Sequence, residues 1–188
     1  MNKSDVLKRY GEGGFFKNEE LVRVDLSHIQ LAKADFSEAN LQFSEFNDTD
    51  LSEANFNYAD LSNANLSGAI LRNAFLVGAN LTNANLERTD LRGAFLGGST
   101  LCGTNFRNAN LKGAIIGSPN WIVPDAFSAC TDFEGANLES TTFGETTPKG
   151  VSMLGAKFTS AYLYEVNFSE SVYHPQQFKD AVTSKIVQ

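Results

Sequence analysis

From Leu26 to Ile116 an apolar residue falls at every fifth position, without a gap, over nineteen consecutive windows. Fourteen of these residues are Leu, four are Phe (Phe36, Phe46, Phe56, Phe106) and one is Ile116. Two places before each stands a small residue: Ala in twelve windows, Ser or Thr in five, with Val24 and Ile29 opening the series. A beat of five suits neither regular structure. On an α-helix each step of five turns the side chain by about 140° from its predecessor. On a straight strand an odd spacing alternates faces. Within one unit, however, the small residue and the Leu two places later point the same way along extended backbone. The chain must therefore bend once per unit, always in the same sense, to return the next pair inward. That is a solenoid with a ladder of Leu and Phe inside.

After Ile116 the beat stumbles through GSPNWIVPDAFSAC. It resumes two residues out of phase at Phe133, Leu138 and Phe143, crosses TTPKGVSML in phase with Pro148 and Met153 at core positions, and continues through Phe158, Leu163, Phe168 and Tyr173. The 188 residues divide into a cap and lead-in (1–20), a regular block (21–116), an interruption read as a loop (117–130), a second block of the same domain (131–173) and a C-terminal segment (174–188). A helix is expected near each end. Ser4 can cap one with Val6, Leu7 and Tyr10 on one side, stopped by Gly11. Pro175 can open another that carries Phe178, Ala181, Val182 and Ile186 on one face. Such caps would shield open coil ends from edge-to-edge association.

A net charge of −7 argues against direct nucleic-acid binding, whose footprint is basic. No stretch approaches the roughly 20 apolar residues of a membrane span, and MNKSDVLKRYGEGG lacks the apolar run of a secretory signal. A cytoplasmic protein is expected, with Cys102 and Cys130 reduced. No catalytic constellation, cofactor motif or metal-ligand spacing is legible. CxxC, HExxH, GxSxG and phosphate-cradling loops are missing, and the two histidines, His28 and His174, are isolated in the sequence. The reading is of a non-enzymatic chain. Asn recurs just before the core residue, at 40, 55, 65, 80, 85, 105 and 110, and is read as structural because Asn and Asp satisfy backbone groups at turns.

The repeated A(N/D)LXX units resemble the pentapeptide-repeat family over roughly residues 21 to 173. That resemblance implies an all-β fold, a right-handed quadrilateral β-helix of about seven coils with four units in each, closed by short N- and C-terminal capping helices. At about 4.8 Å per stacked strand the rod is about 34 Å long. The segment LKRYGEGGFFKNEEL resembles the start of cyanobacterial members, some of which act in heterocyst regulation.

If a coil takes about 20 residues, positions 20 apart stack and surface columns can be read directly. One column runs Asp35, Asn55, Phe75, Phe95, Ile115, and beside it runs Ser52, Arg72, Arg92, Lys112. Val77 and Ile70 flank the same region. Contiguous exposed apolar surface marks an interaction site, and stacked cations repel unless something answers them. Phe75, Phe95, Ile115, Arg72, Arg92 and Lys112 are therefore the candidate protein-binding face, for an apolar and acidic partner. Two other readings stay open: the 117–130 loop, with Trp121, Ile122, Val123 and Phe127, folds over the stripe, or the stripe self-associates. A scaffold or interaction module is the leading function. The alternative comes from the resemblance, because some family members protect DNA gyrase by mimicking a duplex. Such a member would dimerise through its C-terminal end, here Phe178, Val182 and Ile186. Seven carboxylates lie between Asp35 and Asp60 with no Lys or Arg among them. Even so, −7 falls well short of the roughly 20 charges that duplex DNA carries over about 34 Å.

Overall fold

The computed structural model describes residues 1–117, 131–143, 157–163, 165–166 and 175–182. Isolated parallel bridges join residues 20 apart through the whole regular block, from Phe15↔Asp35 to Phe95↔Ile115. Each coil thus stacks on its predecessor as a parallel β-solenoid, with four pentapeptide units per 20-residue coil.

The corners explain the beat. In every unit from Asn18 to Gly113 the second residue after the core position has a positive φ, between 53° and 70°. Only that residue of the turn is left-handed, the signature of a type II turn. An inventory of backbone N–H groups then accounts for the motif. In the unit Ala54–Tyr58, Ala54 N–H closes the preceding turn on Leu51 O (3.0 Å) and Asn55 N–H reaches down to Ala34 O (2.9 Å). Phe56 and Tyr58 N–H reach up to Phe75 O (2.7 Å) and Val77 O (2.9 Å). One donor is left over, Asn57 N–H, and it donates to the side-chain oxygen of Asn55 at 3.1 Å. The same bond recurs from Asp60, Asn65, Asn80, Asn85, Asn105 and Asn110. Asn and Asp precede the core residue because each unit has one backbone donor that the ladder cannot satisfy.

Inside, the Leu and Phe ladder is fully buried. Phe16, Phe36 and Phe56 stack at 4.8 and 5.2 Å between centroids, with Phe46 edge-on at 5.9 Å to Phe36 and to Phe56. Where Ser or Thr replaces the small Ala, its buried hydroxyl donates to a core-residue carbonyl: Ser44 to Leu41 (2.5 Å), Thr49 to Leu26 (2.6 Å) and Thr104 to Leu81 (2.9 Å).

Three sequence expectations are corrected at the ends. The solenoid starts earlier than residue 21: Phe16 is buried and Phe15 already bridges Asp35, with Gly14 in the small position. The N-terminal helix α1 spans Lys3–Gly11 and is capped by Asn2, not Ser4. Asn2 and Asp5 exchange reciprocal bonds at 3.1 Å, a capping box that Ser4, with Leu7 three places on, could not complete. Val6 is buried and Tyr10 donates its hydroxyl to Ala32 O (2.9 Å), whereas Leu7 faces solvent. At the other end only Pro175–Phe178 are helical among the described residues, as one 3-10 turn. Phe178 instead packs on Phe158 at 5.0 Å, and Val182 bridges Tyr162. This is a further rung of the solenoid, because FKDAV places a small Ala three residues after a core Phe, as nearly all units of the regular block do. Ile186 lies outside the described residues.

The second block keeps the beat but not the coil length. Asn105 bridges Asp132, 27 residues on, and Asp132 bridges Lys157, 25 on, before Tyr162↔Val182 restores 20. Phe106, Phe133 and Phe158 accordingly stack at 5.0 and 5.2 Å. An unbroken five-beat across Phe143 to Phe158 therefore carries one pentapeptide more than a four-unit coil takes. The interruption after Gly117 with Trp121, Ile122, Val123, Phe127 and Cys130, and the positions Pro148, Met153, Phe168, Tyr173 and His174, lie outside the described residues. Among the described residues no helix is long and apolar enough to cross a membrane.

Candidate interaction face

The position before the core residue is where the candidate face departs from the rest of the solenoid. From Asp25 to Ile115 that position is polar except at Ile70, Phe75, Phe95 and Ile115. Each of these four gives up the side-chain oxygen that caps the leftover N–H, and offers apolar surface instead. At Phe75 the loss is made good from the coil below, where Asn57 accepts from Val77 N–H at 2.9 Å.

The bridges Phe75↔Phe95↔Ile115 confirm the stacking of the column. The Phe75 and Phe95 rings lie parallel, 5.2 Å apart and 5° between planes. Phe75 and Ile115 remain 41% and 40% exposed, high for such residues, while Phe95 between them is half-buried. The structure adds a residue that sequence reading missed. Tyr58, 50% exposed, sits at the corner below Gly78 and lays its ring where a Gly78 side chain would go, with ring carbons 2.7 Å from that Cβ position. This puts an aromatic next to Val77 on the same face. The signal was available as a Tyr twenty residues before a Gly.

The basic ladder is more nearly neutral than the sequence implied. Asp90 takes Arg72 Nε at 2.6 Å and Arg92 Nη2 at 2.7 Å, and Lys112 reaches Glu139 at 2.9 Å. Arg92, then Arg72, hold the Asp90 carboxyl down at about 2 against the partial burial that opposes them. Repulsion within the ladder is thus relieved inside the chain by two carboxylates facing three cations. The cations still present about half of their side-chain surface to solvent (50%, 44% and 51%).

Elsewhere the surface is laced by ordinary pairs. His28 faces Asp48 at 3.5 Å and Asn47 at 3.2 Å on the exposed side, Lys17 pairs with Glu38 and Lys33 with Glu53. Cys102 is half-buried at an outer position. A shallow cleft of about 230 Å³ lies at another corner between Asp48, Ser67, Gly68, Asn85, Glu87 and Arg88, where no nucleophile sits against a base. Among the described residues no group of three His, Cys, Asp or Glu side chains is placed to hold a metal.

Residues 20–57, 59–98, 84–116 and 131–170 match a family model described as pentapeptide repeats, in eight copies. Among solved structures the chain is similar to HetL, a pentapeptide repeat protein involved in heterocyst differentiation regulation from the cyanobacterium Nostoc sp. strain PCC 7120. The two are 26% identical over 96% of this chain and 94% of HetL, with a TM-score of 0.37. Rfr23, a pentapeptide repeat protein from the cyanobacterium Cyanothece 51142, is 25% identical over 91% of this chain and 99% of its own, with a TM-score of 0.47. QnrB1, a plasmid-mediated fluoroquinolone resistance protein, is 16% identical over 87% and 81%, with a TM-score of 0.40. No curated protein matches the chain significantly.

Proposed function

The chain belongs to the pentapeptide-repeat family, and from that premise we propose that it is a non-enzymatic interaction module that binds a protein partner on the face built by Phe75, Phe95 and Ile115 and edged by Arg72, Arg92 and Lys112. In this reading the rod is a right-handed, four-sided β-helix of about seven coils that holds the face rigid. The observation that carries it is the exchange, at Phe75, Phe95 and Ile115 of one column, of a turn-stabilising polar residue for apolar surface that is exposed at Phe75 and Ile115. A local rule broken with no local gain belongs to function. Tyr58, Ile70 and Val77 extend the same surface.

The test is the double variant Phe75→Ser with Phe95→Ser, followed by melting temperature, solution mass and partner capture from the source cell. Partner loss at unchanged melting temperature and mass supports the face. A fall in melting temperature turns the stripe into covered core, and a halved mass turns it into a self-association surface. Protection of gyrase is the weaker reading. Three of the seven carboxylates between Asp35 and Asp60 face Lys17, His28 or Lys33, so they do not form one uncompensated column. A supercoiling assay with and without a quinolone decides that reading directly.

A further inference from the structure

We propose that the occupant of this face is an amphipathic α-helix laid parallel to the solenoid axis, one helical turn per coil, with acidic residues along the flank that meets Arg72, Arg92 and Lys112. This rests on the interaction reading above and names the partner's chemistry.

Period is the first argument. The coils rise about 4.8 Å each along the axis, and the stacked rings of Phe75 and Phe95 lie 5.2 Å apart between centroids. An α-helix presents its apolar stripe once per turn, about every 5.4 Å, so knobs on three successive turns drift by only about 1.2 Å against Phe75, Phe95 and Ile115. An extended strand shows the same face only about every 6.8 Å and slips out of register by the third rung.

Backbone accounting is the second. Strand addition needs an unpaired edge, and this face has none. Phe75 N–H donates to Ala54 O (2.9 Å), Leu76 N–H to Phe95 O (2.7 Å), Phe95 N–H to Ala74 O (2.9 Å) and Leu96 N–H to Ile115 O (2.7 Å). Affinity must come from side chains, which is how a helix binds.

Charge is the third. Among the described residues the three cations face Asp90 and Glu139, so within them one positive charge is left over on a track parallel to the apolar one. Gly93 and Gly113 stand at the corners between the two tracks, and nothing lies within 4 Å of where a Gly113 side chain would be. The Asn73 side chain lies over Gly93, so the corner is open beside Ile115, where a helix can touch both tracks. Acidic residues at i and i+4 on its flank would follow the cations coil by coil.

Three soluble peptides of about 20 residues, long enough to hold a helix in water, test this against the intact chain by fluorescence anisotropy. The first repeats Leu at helical spacing with Glu along one flank. The second carries Lys in place of that Glu, and the third has the first peptide's composition with Leu at every second residue. The expected result is binding of the first peptide alone. Phe75→Ser should weaken it about tenfold or more. Arg92→Glu should weaken it about threefold and strengthen the Lys peptide. Circular dichroism of each variant checks that the solenoid is intact. Preference for the alternating peptide, still lost in Phe75→Ser, would sink the helix and leave the face standing. Binding that ignores both Phe75→Ser and Arg92→Glu, or no binding by any peptide, overturns the helix and removes support from the face as well.

Discussion

Every corner residue from Asn18 to Gly113 adopts a conformation that costs an L-residue about 1 kcal/mol or more, and glycine removes that cost where it occurs. The first ten corners, Asn18 to Asn63, carry no glycine; six of the next ten do. Where Gly occurs, the corner side chain one coil earlier often folds over it, as Tyr58 does over Gly78 and Asn83 over Gly103. Gly78→Ala should therefore lose about 2 kcal/mol in chemical denaturation, more than Gly113→Ala, which meets open space and loses about 1. Equal losses would show that Tyr58 moves aside freely. The Asp90 carboxylate is the second residue-scale case. Its pKa is lowered to about 2 when folded, so its contribution is present above the unfolded value of 3.8 and fades as pH falls toward 2. Discounted for solvent screening, about 1 kcal/mol is at stake. Asp90→Asn should lower stability by about that amount at pH 7 and flatten the decline between about pH 4 and pH 2 relative to the native chain. A parallel decline in both proteins would assign the acid limb to other carboxylates.

The element that matters is not a strand or a helix but a column. Asn85 shows what a column holds. It accepts Glu87 N–H at 3.2 Å, donates to Asn65 at 3.2 Å and accepts from Asn105 at 3.0 Å. Asn85→Ala orphans the Glu87 amide and breaks the ladder in both directions, a loss of about 1–2 kcal/mol. Hydrogen exchange should show Glu87 N–H exchanging much faster, with the core-position amides of Leu86 and Leu66 little changed. If Glu87 stays protected, the Asn column is decoration. The candidate face is the same device used differently. Its column gives up these bonds and gains a rigid apolar stripe. The columns were legible because a constant coil length turns position into address. Tyr58 is not legible as part of the face because it stands at a corner and adds to the surface only by lying over the Gly of the next coil in its own column. The ion pairs of Arg72 and Arg92 with Asp90 are not legible because they cross from one column to its neighbour.

On the scale of the whole molecule the coils form a one-dimensional stack, and stability is roughly a sum over coils and their interfaces. The end coils then decide how the rod frays. A chain ending at Tyr173 loses the rung in which Phe178 covers Phe158 and Val182 N–H donates to Ala161 O at 2.8 Å. Its melting temperature should drop by several degrees, as for a loss of about 2–3 kcal/mol in a domain of this size. Light scattering on the same two chains tests the proposed homodimer through Phe178, Val182 and Ile186. A dimer that becomes a monomer on truncation makes the last rung an interface. An unchanged monomer makes it a cap.

The five-residue beat alone determined that this chain winds into a solenoid and which residues line it, because every unit repeats one backbone accounting. Which surface positions stack depended on four units to a coil, which the family resemblance implied and the bridges between residues 20 apart show. What only the tertiary structure decided lies where the count changes or a side chain crosses between coils. Coils of 27 and 25 residues keep the beat while shifting the register, so periodicity cannot see them. The C-terminal Phe178–Val182 segment fits a helical face and a solenoid rung equally well on paper, and only a preceding coil to stack upon selects the rung. Two carboxylates settle the state of the basic ladder, although they stand 18 and 27 residues from Arg72 and Lys112. Local pattern specifies the inside of such a rod. Its outside is decided by neighbours that the pattern does not name.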